Sequence, residues 1–283
     1  MIDLPYLLHF MMWKHEWPWR IDRHLFNRYV QGADRLVALT QGGADLVSQE
    51  YGATCGVLPP PVDMEFFRPT APRARHPIVL FPADLADERK GGTLLLRAWN
   101  RVFEQRPDAR LVLAGPFGLA GFHQGHFLNT MLGKFSLVRD PAARAAIEIR
   151  GVGEVADLPQ WYSEAWVTVL PSFDEAFGIV LTESLACGTP VVASSQGGPG
   201  EIVSNDRVGA TVALKSQWDL QSINAAEELA DALLYALDLA ERPGTVNECR
   251  EWASRWSLDR VGPLEEQMLE EIVDGFRSGG ARR

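Results

Sequence analysis

The sequence predicts an α/β protein built on a doubly wound parallel sheet, and three observations predict it. From residue 78 to about residue 239, short runs rich in β-branched residues alternate with stretches of helical spacing. Strands separated by helical patterns of roughly 10–15 residues mark βαβ units and a parallel sheet. The strand runs are continuously apolar rather than alternating, as strands covered by helices on both faces must be. The composition is that of a folded soluble chain, 46% hydrophobic and 23% charged with 25 Gly and 18 Pro, and its 283 residues leave room for two domains.

The elements follow in order. Residues 78–83 (IVLFPA) read as a strand. Residues 93–105 follow as a helix, with Leu94, Leu95, Ala98, Val102 and Phe103 at helical spacing. Residues 110–115 (RLVLAG) and 146–151 (AIEIRG) are the second and third strands. A short helix at 158–165 leads into the fourth, 167–170 (VTVL). The helix 178–187 stops at Gly188, a usual C-terminal signal, before a fifth strand at 189–193 and a sixth at 210–214. Residues 227–241 carry an apolar helical stripe at Leu229, Leu233, Ala236 and Leu237. Upstream, strands are expected at 6–10, 34–40 and 56–61, with helices at 22–31 and 42–51 between them. The stretch 66–77 holds three Pro and three Arg without periodicity, and is the expected linker region. Residues 246–255 and 258–276 read as two closing helices. The expected organisation is therefore 1–68 as a shortened N-terminal Rossmann-like portion, 69–77 as linker, 78–245 as a complete doubly wound domain, and 246–283 as C-terminal helices crossing back to the N-terminal portion.

Charge and cysteine usage exclude several classes. Lys and Arg number 27 against 37 Asp and Glu, a net charge of -10. Nucleic-acid binding needs a basic footprint, so no nucleic-acid partner is expected; a small phosphorylated ligand needs only one local positive site. Three cysteines (Cys55, Cys187, Cys249) exclude a fully paired disulfide framework and form no CxxC pair, which points to a reducing compartment. No run approaches the ~18 apolar residues of a transmembrane helix, and the apolar patch at 4–12 lacks a cleavage site. His123 and His126 form an HxxH without an evident third ligand, so no metal site is expected. No GxxxxGK[ST], GxGxxG or nucleophile elbow is present.

In an open parallel sheet, ligands bind beyond the C-terminal ends of the strands. The loop after the fourth strand, PSFDEAFG, opens a helix whose free backbone N–H groups favour an anion such as a diphosphate. Gly178, beside Phe177, lets backbone approach a ligand closely. Glu183 sits on an otherwise apolar helix between Leu181 and Leu185, where a carboxylate is costly unless partnered. It is read either structurally, as a buried ion pair or an exposed edge, or functionally, as a bidentate acceptor for two vicinal hydroxyls, as on a ribose. Glu175, eight residues earlier, would lie roughly 12 Å away if the stretch were helical throughout. In the loop after the first strand, DLADERKGG, Lys90 can neutralise phosphate as a point charge, with Arg89 as a second candidate.

Together these residues resemble the retaining, GT-B-fold glycosyltransferases of family 4. The resemblance rests on the E-x7-E of Glu175 and Glu183 inside PSFDEAFGIVLTESLACGTPVVAS, on the following GGPGEIV, on Lys90 before Gly, and on ADRLVALTQGGADLV and LPPPVDMEFFRP between 33 and 69. It implies a GT-B-like architecture of two Rossmann-like domains, one complete and one truncated. It implies transfer of a hexose-type sugar from a UDP-, GDP- or ADP-sugar to a glycan, lipid-linked or small-molecule acceptor, with retention of configuration and without metal or other cofactor. Lys90 would hold the diphosphate. Glu175, Ala176, Phe177, Gly178 and Ile179 would hold the donor sugar and phosphate, and Glu183 the ribose. Val152 would flank the base, and His9 would face the reacting sugar. Two departures accompany the match. The family's Gly-Arg pair ahead of the Lys is replaced by Pro82-Ala83-Asp84-Leu85, and about half of the N-terminal domain is missing from the pattern. The alternative reading is a non-catalytic or partner-dependent nucleotide-sugar-binding remnant, with a partner chain completing the N-terminal domain. The expected location is cytoplasmic, or peripheral at the inner membrane face if Trp13, Trp17 and Trp19 among Lys14, Arg20 and Arg23 meet lipid instead of packing inside the protein.

Overall fold

The computed structural model describes residues 27–28, 30–33, 35–115, 134–151 and 153–279. The strand expected at 6–10, most of the helix at 22–31, the tryptophan cluster, His9, the HxxH and Val152 lie outside the described residues. The chain divides into two compact units, Met1–Pro61 with Trp256–Arg283, and Val62–Arg255.

In the first unit, β1 (Leu36–Ala38) and β2 (Cys55–Val57) pair in parallel, Leu36 opposite Cys55. Helix α1 (Gln41–Tyr51) joins them. Its start is set by Thr40, whose side chain accepts from the Gly43 N–H, and its end by Gly52 in the left-handed region at φ 63°. Val30, Leu36 and Val47 form the small core between them. The last helix of the chain, α9 (Leu258–Gly279), belongs to this unit, where Glu271 pairs with Arg35.

The second unit is a six-stranded, wholly parallel sheet. Its strands are β3 (Ile78–Phe81), β4 (Arg110–Ala114), β5 (Ile147–Gly151), β6 (Val167–Leu170), β7 (Val191–Ser194) and β8 (Gly209–Val212), in the spatial order β5-β4-β3-β6-β7-β8. Every residue of β6 and β7 is buried, which is why their sequences read as unbroken apolar runs. The edge strand β5 instead exposes Glu148 and Ile149.

Among the described residues, seven helices connect and cover these strands: α2 (Gly92–Gln105), α3 (Pro141–Ala145), α4 (Leu158–Glu164), α5 (Ile179–Ala186), α6 (Gly197–Ile202), α7 (Ile223–Glu241) and α8 (Thr245–Ala253). Helix α2 buries Leu94, Leu95, Leu96, Ala98, Trp99 and Val102. Trp99 is fully buried, and its indole N–H donates to the Ala143 carbonyl at 3.0 Å, so the polar atom of the largest core residue is satisfied. Helix α7 begins four residues ahead of the expected 227, because Ser222 caps it by accepting from the Ala225 N–H.

From β3 the chain moves outward through β4 to β5, then returns to the middle and moves outward the other way through β6, β7 and β8. The direction reverses between β3 and β6, and at such a point the following loops diverge and leave a crevice. Among the described residues no helix is long and apolar enough to cross a membrane.

Candidate functional site

Lys90 and Glu175 follow the two strands that flank this reversal. The loop after β3 is shaped by its own carboxylates. Asp84 accepts from the Ala86 N–H at 2.8 Å, and Asp87 from the Arg89 N–H at 3.0 Å. The Asp87 carboxylate also takes the Arg89 guanidinium, at 2.7 and 3.2 Å. These bonds wind Glu88–Lys90 into a single 3₁₀ turn, and Gly91, at φ 76°, redirects the chain into α2. A Cβ on Gly91 would lie 2.1 Å from the Pro171 carbonyl oxygen, so the loops after β3 and β6 meet backbone to backbone. The Phe173 N–H donates to the Arg89 carbonyl at 2.8 Å, and the Lys90 ammonium bonds Glu175 Oε2 at 2.6 Å.

Lys134 braces the same loop from the far side. Its buried ammonium donates to the Leu85 carbonyl at 2.6 Å and pairs with Glu88 at 2.8 Å. No sequence signal marks it, since its partners lie 49 and 46 positions away.

The loop after β6 holds Asp174 at φ 61° and Gly178 at φ 92°. A non-glycine residue in the left-handed region is a local strain of the kind that collects at binding loops. Phe177 is buried and Ile179 is exposed. No side chain caps the start of α5, so its first N–H groups face outward from the helix end. Helix α6 closes in from the β7 side. A Cβ on Gly197 would lie 2.8 Å from the Glu175 carbonyl oxygen, and one on Gly198 would lie 2.3 Å from Phe177 Cα. Ala176 is part of the same contact, its carbonyl oxygen 2.6 Å from that Gly198 position. Ser172, buried at the root of the loop, has a hydroxyl without a hydrogen-bond partner among the described residues.

Glu183 lies one turn into α5 and is partly buried. The Tyr162 hydroxyl on α4 donates to its Oε2 at 2.8 Å. Burial raises the Glu183 carboxyl above its ordinary value, and the bond from Tyr162 opposes that rise. Burial, followed by the charge of Glu183, holds the Tyr162 phenol well above its ordinary value. The Cys187 thiol is pushed up to about 12, chiefly by burial, and is inert as a nucleophile at neutral pH. The neighbour of Glu183 is thus a tyrosine rather than a basic residue, and neither earlier reading of its surroundings named one.

The structure brings together Arg89, Lys90, Glu175, Ala176, Phe177 and Gly178 at the reversal point, with Ile179 and Glu183 on the helix that follows. It also corrects the spacing argument. Residues 171–178 are not helical, and Glu175 precedes the first residue of α5 by four positions, so a helical rise does not separate the two acids. Among the described residues, no group of three or more His, Cys, Asp or Glu is placed to hold a metal ion.

The sequence pattern described as Glycosyl transferases group 1 matches residues 76–238. The chain belongs to this family. As a group 1 glycosyl transferase it is 32% identical over 266 residues to the D-inositol 3-phosphate glycosyltransferase of Paenarthrobacter aurescens, covering 88% of this chain and 60% of that protein. It is 35% identical over 271 residues to the protein of the same name from Streptomyces bingchenggensis, covering 88% and 55%. The chain thus spans little more than half the length of these curated relatives. Among solved structures, sucrose-phosphate synthase from Thermosynechococcus elongatus superposes with a TM-score of 0.69 at 22% identity, covering 90% of this chain and 62% of that one. HepE of Anabaena, in complex with UDP-glucose, superposes with a TM-score of 0.67 at 18% identity, covering 90% and 68%. At such identities these likenesses speak for the α/β fold of the group 1 chain. The family match spans every site residue from Arg89 to Glu183.

Proposed function

We propose that the chain binds a nucleotide-sugar at the β3/β6 reversal and transfers its hexose, with retention, to a hydroxyl acceptor. The observation that carries this reading is the Lys90–Glu175 pair held across the two loops at 2.6 Å, with Glu183 on the helix that opens just beyond. In this reading the Lys90 ammonium turns to the diphosphate, and the N–H groups around Phe177–Ile179 hold the same anion from the helix end. Glu175, released from Lys90, accepts hydrogen bonds from the sugar hydroxyls. Glu183 accepts from the ribose. Arg89, fixed by Asp87, adds positive field beside the phosphates. Val152 beside the base and His9 facing the reacting sugar are assigned from their place in the sequence resemblance.

The chemistry follows from where charge develops. The bond between the anomeric carbon and the phosphate oxygen breaks, and the acceptor oxygen bonds to the same face of that carbon. The acceptor proton passes to the departing phosphate oxygen. Lys90, Arg89 and the start of α5 stabilise the negative charge that grows on the diphosphate, so this route assigns no step to a divalent ion. HepE, solved with UDP-glucose, supports a uridine donor as the first to test. The relatives named D-inositol 3-phosphate glycosyltransferase support that inositol phosphate as the first acceptor.

Calorimetric titration with UDP-, GDP- and ADP-glucose tests the binding, and product analysis with and without acceptor tests the transfer. One donor should bind, and Glu183→Ala should weaken it about tenfold or more, the scale of a charge-assisted hydrogen bond. Binding to none of the donors would overturn the reading.

A further inference from the structure

The role proposed for Glu183 leaves a question of orientation, since a lone carboxylate on a helix can adopt several rotamers. The structure supplies a rigid answer. Tyr162 is buried to 1% exposure, and its hydroxyl meets Glu183 Oε2 at 2.8 Å. Its position is fixed at both ends. The Thr189 hydroxyl donates to the Tyr162 carbonyl at 2.6 Å, tying the backbone of α4 to the turn after α5. Phe67 packs on the ring at 6.2 Å between centroids. Next along the helix, the Ser163 hydroxyl donates to the Pro159 carbonyl at 2.6 Å and accepts from the Thr70 N–H at 3.0 Å. Glu183 Oε1, in contrast, has no hydrogen-bond partner among the described residues, and Glu183 is only partly buried.

We propose that Tyr162 is a positioning residue for nucleotide recognition: its hydroxyl occupies Glu183 Oε2 and so presents Oε1 to a ribose hydroxyl of the donor. This rests on the reading of Glu183 as the ribose acceptor. A phenol serves this purpose where Lys or Arg would not. It fixes the carboxylate with one short bond and adds no cation to neutralise it, leaving Oε1 a strong acceptor. Without that hydroxyl the carboxyl would be free to rotate, and burial would act on it unopposed by the bond from Tyr162.

The test compares two ligands rather than one affinity. The tightest-binding of UDP, GDP and ADP is titrated against its 2′,3′-dideoxy form in the wild type, Glu183→Gln and Tyr162→Phe. The wild type should prefer the ribonucleotide about tenfold or more, one charge-assisted hydrogen bond's worth. Glu183→Gln should reduce that preference severalfold. Tyr162→Phe should also reduce it severalfold, with affinity for the dideoxy form unchanged; a merely structural loss would weaken both ligands alike. Full preference in Tyr162→Phe with a reduced one in Glu183→Gln would overturn the positioning role and leave the Glu183 reading standing. No preference in the wild type, or full preference in Glu183→Gln, would overturn both. A measurement without a variant stands beside these: in tyrosine-labelled wild type, the Tyr162 hydroxyl resonance should shift with the ribonucleotide and not with its dideoxy form, and equal shifts would overturn the proposal.

Discussion

Lys90 spends its charge on Glu175 when no ligand competes. The pair is partly buried, so each partner is stripped of much of its water and neither is neutralised elsewhere among the hydrogen bonds described. A diphosphate carries more negative charge than one carboxylate and would draw the ammonium away at modest cost. Lys90→Met keeps the stem and removes the charge. It is expected to weaken nucleoside diphosphate binding by about tenfold or more in a calorimetric titration. Glu183 supplies a second prediction, with its sign fixed by the direction of its shift. Its folded-state carboxyl is raised by burial, so the proton it binds favours the folded chain. That contribution is complete below the unfolded pKa and is lost as pH rises through the raised folded value. Glu183→Gln carries no such loss. In thermal melts the variant should be the more stable one at pH 8, and the difference should shrink as pH falls through the raised value. A variant less stable at every pH would count against a strained functional acid.

At the scale of elements, close approach matters more than propensity. Gly91 stands at φ 76° with the Pro171 carbonyl where its Cβ would be. Gly91→Ala should therefore destabilise the protein by about 2–4 kcal/mol, combining a left-handed penalty with overpacking. Gly275 is the control. It lies inside α9 with nothing within 4 Å of its Cβ position, so Gly275→Ala should stabilise by about 0.5–1 kcal/mol. Urea unfolding reads both. The same logic explains what sequence reading could and could not see. Strands β3, β4, β6 and β7 announce themselves because burial on both faces demands unbroken apolar runs. Helix α6, written Gly-Gly-Pro-Gly, breaks every helix preference and was not expected; it forms where Gly198 must lie against the backbone of Phe177. Its signal was tertiary. So was that of Tyr162, whose meaning depends on α4 lying beside α5, and of Lys134, which reaches a loop 49 positions earlier.

For the molecule as a whole, the decisive property is topological. A chain of net charge -10 repels anions at a distance, so an anion site must be built locally. In the proposed reading, the reversal between β3 and β6 does this by bringing together two loops whose key side chains are 85 positions apart. The E-x7-E and the lysine were legible as residues; their meeting followed from strand order, which spacing alone does not reveal. The central claim is that this one point of the sheet holds a donor's diphosphate and ribose. The most direct measurement is a crystal structure of the protein with UDP-glucose, or with GDP- or ADP-glucose should titration favour that donor. The account predicts diphosphate oxygens within hydrogen-bond reach of Lys90 and the start of α5, and the ribose on Glu183. A nucleotide bound elsewhere, with Lys90 still on Glu175, would contradict it.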